Sequence, residues 1–227
     1  SPRSVQNYRG AISNLVEFAI GRKYLPPDFA EMRFVTTPTR SETDVEIFTI
    51  AEMRSLLQHA SKSLLPVLVL GGFAGLRTSE TLQISWEHIH WNKGVITVPR
   101  GKTGKRLAPL MDNASEWLRL LRPPGSNGHG RIVGITSSTI SKSMMRAAAS
   151  ATKNSWGEIA WKHNALRHSF VTYWTSFEHN LWKVSERTGH SIRILKKNYQ
   201  RQEMMEDVGR SWFEIRPDTH QLYLFDD

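Results

Sequence analysis

No cysteine occurs among the 227 residues, which excludes a disulfide framework and any thiolate metal site. No apolar run reaches the ~20 residues that a membrane-spanning helix needs. The longest candidate, Leu64 to Leu76, is interrupted by Pro66, Gly71, Gly72 and Gly75. A secretory signal is lacking, and so are the Gly-x-x-x-x-Gly-Lys phosphate loop, a carboxylate cluster suited to a metal, and any internal repeat. Acidic residues are in short supply as well. Against 30 Lys+Arg stand 21 Asp+Glu, a formal charge of +9, and the isoelectric point is near 10.0. Such a balance points to a polyanionic partner, although charge alone does not separate DNA from RNA or from an anionic membrane surface. The sequence opens on Ser1 rather than on an initiator methionine. The expectation is a soluble intracellular protein, trimmed from something longer.

What is present is mostly helical pattern. From Val5 to Ile20, Tyr8, Ile12, Leu15, Val16 and Ala19 recur at helical spacing. Lys23 to Thr43, with Pro26, Pro27 and Pro38, reads as a linker. Thr49-Ile50-Ala51-Glu52 is a capping-box pattern that predicts a helix to about Ala60. A more buried helix is expected near Leu64 to Gly71, and a short one after Glu80 ending near Ile84. Val95 to Val98 and Arg106 to Leu110 predict two strands joined by a turn rich in Gly and Lys. Further helices are expected near 114–121, 140–151, 165–175, 181–188 and 192–199, with a loop across the four glycines between Gly125 and Gly134. The fold class is mainly α with a small antiparallel β-sheet (α+β). After Tyr199 the apolar residues Trp212, Phe213, Ile215 and Leu222 to Phe225 either pack on their own domain or dock on a neighbouring subunit.

Four separated pieces carry the chemistry: Gly75-Leu76-Arg77-Thr78-Ser79-Glu80, Gly101-Lys102-Thr103-Gly104-Lys105-Arg106, Leu166-Arg167-His168-Ser169-Phe170, and Gly189-His190 followed by Tyr199. A guanidinium is always charged and offers a planar fork that matches two phosphate oxygens. A tyrosine hydroxyl can form a covalent ester that a later hydroxyl reverses. With an unperturbed pKa of about 10, only on the order of one tyrosine in a thousand is ionised at neutral pH, so the site must assist its deprotonation.

From about Val45 to Tyr199, the order and spacing of these pieces resemble the catalytic domain of the tyrosine recombinases, the phage integrase and Xer-like family. The resemblance implies that family's catalytic-domain architecture. Residues 1–22 would be the last helix of an N-terminal DNA-binding (core-binding) domain and 23–44 the linker. Residues 45–202 would be the catalytic domain and 203–227 a C-terminal tail. It also implies roles. Tyr199, nine positions after His190, would be the nucleophile. Arg77 and Arg167 would clamp the phosphate, His190 would hydrogen-bond a phosphate oxygen, and Lys102 would protonate the leaving 5′ oxygen. Lys105 competes with Lys102 for that task, and Lys105 and Arg106 are otherwise expected to contact DNA. Glu80 would orient Arg77, and His168 would buttress the domain core behind the site.

One position departs from the pattern. The family's second box is usually His-x-Leu-Arg-His, but here the run is Asn164-Ala165-Leu166-Arg167-His168. Asparagine can donate a hydrogen bond to a phosphate oxygen but cannot take the tyrosine proton at neutral pH. Either His163, one residue earlier, supplies the imidazole, or Asn164 serves as donor only. Asn164 keeps the register with Arg167 and is the preferred occupant.

The implied activity is site-specific recombination or integration, cutting and rejoining DNA through a 3′-phosphotyrosine. No cofactor is implied, because the ester stores the bond energy, and no metal. The implied partners are double-stranded DNA attachment sites and three further copies in a homotetramer on synapsed DNA, with a monomer in its absence. No membrane is involved, and the setting would be the cytoplasm, for a bacterial or phage-borne protein associated with the nucleoid. Relaxation of DNA in the manner of a type IB topoisomerase, or a non-catalytic DNA-binding relic, are the alternatives.

Overall fold

The computed structural model of the chain describes residues 2–36, 45–101, 104–125, 128–153, 158–199 and 206–217. Two units divide it, Ser1–Asp44 and Val45–Asp227. In the first, α1 (Pro2–Gly21) is a 20-residue helix whose Tyr8, Ile12 and Leu15 are exposed. Arg9 donates to the Met32 carbonyl at 3.4 Å, tying α1 to a 3₁₀ turn at Glu31–Phe34 within the segment expected to be a linker.

The second unit holds the core. Its first helix, α2 (Ile50–His59), opens on the expected capping box: Thr49 Oγ1 accepts from the Glu52 N–H and Glu52 accepts from the Thr49 N–H at 2.7 Å. Every residue of α3 (Leu65–Ala74) is buried, as expected of a helix with no polar side chain on any face. This helix stops at Gly75, which sits in the left-handed region at φ 65° and returns its N–H to the Leu70 carbonyl. Any Cβ at Gly75 would overlap the Phe170 ring, so glycine is required both by the turn and by the close approach.

Helix α4 (Thr78–Thr81) begins before Glu80 rather than after it, because the Glu80 carboxylate reaches back to the Arg77 N–H at 2.9 Å and caps the helix start. Three antiparallel strands follow in the order β1 (Ile89–His90), β2 (Val95–Gly101) and β3 (Gly104–Pro109). The sequence pattern had pointed to β2 and β3; β1, only two residues long, carries no period of its own. Ile96 pairs with Ala108 and Val98 with Arg106 before the register shifts toward Gly101 and Gly104. Lys102, in the turn between β2 and β3, lies outside the described residues.

Helices α5 (Asp112–Leu121), α6 (Ser137–Lys153), α7 (Ala165–Phe177), α8 (Leu181–Thr188) and α9 (Ile192–Asn198) complete the expected series. A further helix, α10 (Glu206–Trp212), occupies the start of the segment expected to be a tail. It packs within its own unit. Trp212 is fully buried, stacks on Tyr173 with centroids 4.4 Å apart and donates its indole N–H to the Gly72 carbonyl at 2.8 Å. The carbonyl of Ile215 accepts from Trp117 and Asn113. Trp212 and Ile215 are thus bonded within their own unit, while Leu222 to Phe225 lie outside the described residues.

Candidate active site

Six elements deliver one cluster: the turn after α3, helix α4, strand β3, the start of α7, the α8–α9 junction and the end of α9. Its centre is a buried carboxylate. Glu80 is 1% exposed. Its Oε1 accepts from Arg77 Nη1 at 2.7 Å, and its Oε2 accepts from Arg106 Nη2 at 2.8 Å. Burial alone would raise the pKa of this carboxyl. The bond from the Arg77 N–H, the charge of Arg106 and the side-chain bonds from Arg77 and Arg106 outweigh burial and hold it below the usual value. Glu80 therefore binds Arg77 and a second arginine together.

That second arginine corrects an expectation. Arg106 was assigned to DNA contact, but its side chain is 8% exposed and its Nη1 donates to the Arg187 carbonyl at 2.8 Å. It is a strut between β3 and the end of α8. The alternation along β3 turns residue 106 inward and leaves Lys105 exposed.

Arg167, on the first turn of α7, is 6% exposed. Its two terminal nitrogens donate to the Gly75 and Thr188 carbonyls, so its plane is fixed by backbone on both sides. Burial first, and then the charges of Arg77 and Arg106, lower its pKa to about 9, which leaves it charged at neutral pH. Arg77 and Arg167 line a cavity of about 230 Å³ together with His163, Asn164, Ser137 and Ser141. Asn164 takes the left-handed conformation at φ 58° as the residue before α7, a backbone state that asparagine tolerates better than most residues. Lys162 anchors this approach by donating to Glu52 at 2.8 Å and to the Ile47 carbonyl at 2.9 Å. His163 and Asn164 are both exposed on the cavity side.

Gly189, left-handed at φ 69°, ends α8 and presents His190. The Thr188 hydroxyl donates to the Val184 carbonyl at 2.7 Å and lies 3.1 Å from His190 Nδ1. With its proton spent on Val184, Thr188 accepts from Nδ1–H, and this network assigns the lone pair to Nε2. Burial first, and then the Arg167, Arg77, His168 and Arg106 charges, lower the His190 pKa to about 3.

Ser191 caps α9, whose C-terminal end is Tyr199. Tyr199 is 3% exposed, with ring centroids 5.6 Å from His190 and 6.1 Å from His168. Its hydroxyl lies 2.8 Å from His168 Nδ1. Burial raises its pKa to about 12, with the Arg167 and Arg77 charges pulling the other way. Tyr199 does not line the 230 Å³ cavity; Arg77 and Arg167 do, and their charges reach it. Arg77 and Arg167 thus act electrostatically on both His190 and Tyr199.

The phage integrase family model matches residues 46–206, well over half of the chain. The chain belongs to the phage integrase family. It is similar to the tyrosine recombinase XerD of Vibrio cholerae, at 29% identity over 175 residues, covering 68% of this chain and 55% of that one. Similarity to XerD of Pseudomonas aeruginosa is 30% over 166 residues, covering 66% and 53%. This integrase-family chain therefore spans about half the length of the curated relatives it matches. Among solved structures, the Tn1549 transposon integrase in complex with circular intermediate DNA superposes with a TM-score of 0.63 at 16% identity, covering 93% of this chain and 78% of that one. A lambda integrase tetramer bound to a Holliday junction gives 0.61 at 18%, covering 81% and 57%. These likenesses show a shared fold, the tyrosine recombinase catalytic-domain fold.

Within this family member, sequence reasoning set His168 behind the site. The structure instead places its ring against the Tyr199 hydroxyl. The signal available was a second histidine adjoining Arg167, but which way it faced depended on where α9 packs. Thr188, which fixes His190 and receives Arg167 at its carbonyl, was not singled out at all. No helix among the described residues is long and apolar enough to cross a membrane. No group of three or more His, Cys, Asp or Glu residues among them is placed to hold a metal ion.

Proposed function

We propose that this chain is the catalytic portion of a site-specific DNA recombinase that cuts and rejoins its attachment sites through a 3′-phosphotyrosine. The observation that carries the reading is that Arg77 and Arg167, which line the cavity, lie close enough for their charges to act on both His190 and the shielded Tyr199 hydroxyl. Tyr199 Oη attacks phosphorus, the P–O5′ bond breaks, and a free 5′ hydroxyl leaves. Arg77 and Arg167, already oriented by Glu80 and by backbone carbonyls, meet the charge that develops on the non-bridging oxygens without reorganising. His190 donates to one of those oxygens from Nε2 once the phosphate's negative charge favours its protonation. Lys102, by resemblance, protonates O5′. Asn164, on the cavity wall, donates a hydrogen bond to the phosphate. The ester conserves the bond energy, so no cofactor enters the reading.

The +9 charge supports double-stranded DNA as partner. We place the working assembly as a homotetramer on synapsed sites, monomeric without DNA, in a bacterial cytoplasm at the nucleoid. Helix α1 fits the end of an N-terminal DNA-binding domain, joined through residues 23–44.

Incubation with a suicide duplex bearing the native attachment site tests the reading. The expected result is a covalent protein–DNA adduct mapped by mass spectrometry to Tyr199. Plasmid relaxation without any cognate site would favour the topoisomerase, and no adduct on any substrate would favour the relic. On the same substrate, Asn164→Ala is expected to slow cleavage by about 10–100-fold, the worth of one charge-assisted hydrogen bond. His163→Ala is expected to change it by less. A larger loss in His163→Ala would transfer the role to His163.

A further inference from the structure

This family member lacks a histidine at position 164, and the residues nearest that position face the wrong partner for proton removal. Asn164 has no titratable group. His163 and Asn164 line the cavity between Arg77 and Arg167, a cavity that the Tyr199 ring does not line. The imidazole in contact with the phenol is another one. His168 Nδ1 lies 2.8 Å from Tyr199 Oη, within the distance at which a general base takes a proton.

His168 projects from the turn of α7 that also carries Arg167, and Tyr199 closes α9, 31 positions later. Both side chains are held. Tyr199 is buried, and α7 is anchored at Ser169, whose hydroxyl accepts from the Phe48 N–H at 2.8 Å.

We propose that His168 is the proton acceptor for Tyr199. Its Nδ1 takes the phenolic proton as Oη bonds to phosphorus and P–O5′ breaks, while O5′ is protonated by the acid of the site. In rejoining, the 5′ hydroxyl attacks the phosphotyrosine and returns its proton to the acid of the site, P–O5′ forms as P–Oη breaks, and the proton on Nδ1 goes back to Oη. This rests on the cleavage chemistry proposed above.

The acceptor must be neutral beforehand. The charged and titratable groups around His168 are Arg167 and His163 along α7 and its approach, and His190 and Tyr199 from the α8–α9 region. Burial first, then the charges of Arg167 and His163, lower its pKa to about 4, so the ring is uncharged across the neutral range. An anionic scissile phosphate beside Arg167 offsets the positive field that depresses His168 and strengthens it as a base at the moment of attack. Because its pKa lies below ambient pH, its contribution falls at the lower end of general-base effects, ~10²-fold.

Two measurements test this. The first uses ¹⁵N NMR of histidine-labelled protein without DNA, with the His168 signals assigned by their loss in His168→Asn. The expected tautomer carries its proton on Nε2, with Nδ1 as acceptor, and its Nδ1 shift changes in Tyr199→Phe. A proton resident on Nδ1 would overturn the proposal whatever the cleavage assay shows. The second compares adduct formation on the suicide duplex by the parent, His168→Ala and His168→Asn, after thermal melts confirm that each is folded. Asparagine can accept a hydrogen bond from the phenol but cannot take its proton, so both variants should lose ~10²-fold at pH 7. Their rates should then climb about tenfold per pH unit toward pH 9 as solvent ionises Tyr199, while the parent stays flat. Added imidazole should partly restore His168→Ala. Near-parental rates in His168→Asn with no pH slope would reduce His168 to a positioning residue and overturn the proposal. A parent that forms no adduct would instead remove the cleavage reading itself, and the proton-acceptor role with it.

Discussion

Tyr199→Phe removes one oxygen, and with it the covalent adduct. The loss in adduct-forming rate is expected to be about 10⁴-fold or more, the scale seen when a nucleophile is deleted from an otherwise intact site. The fold should survive. The ring keeps its buried place between His168 and His190, and only the hydroxyl's bond to His168 is lost. Leaving that imidazole nitrogen without its partner costs roughly 1–3 kcal/mol, so a small drop in melting temperature should accompany unchanged DNA affinity. A denaturing gel of protein trapped on suicide DNA reads the adduct directly. An adduct that persists and maps to another residue would remove Tyr199 from the mechanism.

Glu80→Ala should be the most destabilising single change at the site. Three positive side chains, Arg77, Arg106 and Arg167, share this region, and their electrostatic coupling is mutual. Removing Glu80 strips Arg77 and Arg106 of their shared carboxylate and leaves Arg106 buried with a bare charge. Breaking a buried pair from one side costs about 3–5 kcal/mol. Arg77 is 29% exposed and can recover some hydration, so the lower figure applies, roughly a 6–12 °C fall in melting temperature for a domain of this size. Glu80→Gln keeps the hydrogen-bonding shape without the charge and should fall between.

Acid provides a second check on the same group. The folded pKa of Glu80 lies below the ordinary carboxyl value of 4.5. Its ionised form therefore contributes full stability above 4.5, and that contribution is lost as the pH falls through the lower folded value. The stability gap between the parent and Glu80→Gln should accordingly close on acidification below about pH 4.5 and be flat above it. Urea titrations at several pH values measure this. A gap that widens in acid would mean that the carboxylate is not held by the arginines.

Much of the local structure was legible because its causes are local. The Thr49–Glu52 box and the glycine that follows the helix expected at 181–188 each mark a boundary by chemistry acting over a few residues, whereas α3 runs on to Ala74, past the end expected near Gly71. The residue types needed for phosphate chemistry were also readable, since guanidinium, imidazole and phenol carry their properties with them. Helix α10 was missed as a helix because its seven residues are too few for a decisive period. It is held instead by Trp212 reaching Gly72, 140 positions away.

What only the tertiary structure decided is which partner each side chain meets. Arg106 and Lys105 are neighbours in one basic turn, and sequence treats them alike. The pleat of β3 buries the first against Glu80 and leaves the second in solvent. His168 and His163 are two histidines on the same approach to α7, and the position of α9 is what gives the Tyr199 hydroxyl to His168. Residue identity sets what a group can do. Its proton affinity and its partner are set by burial and by charges brought in from distant parts of the chain, which no spacing along the sequence encodes.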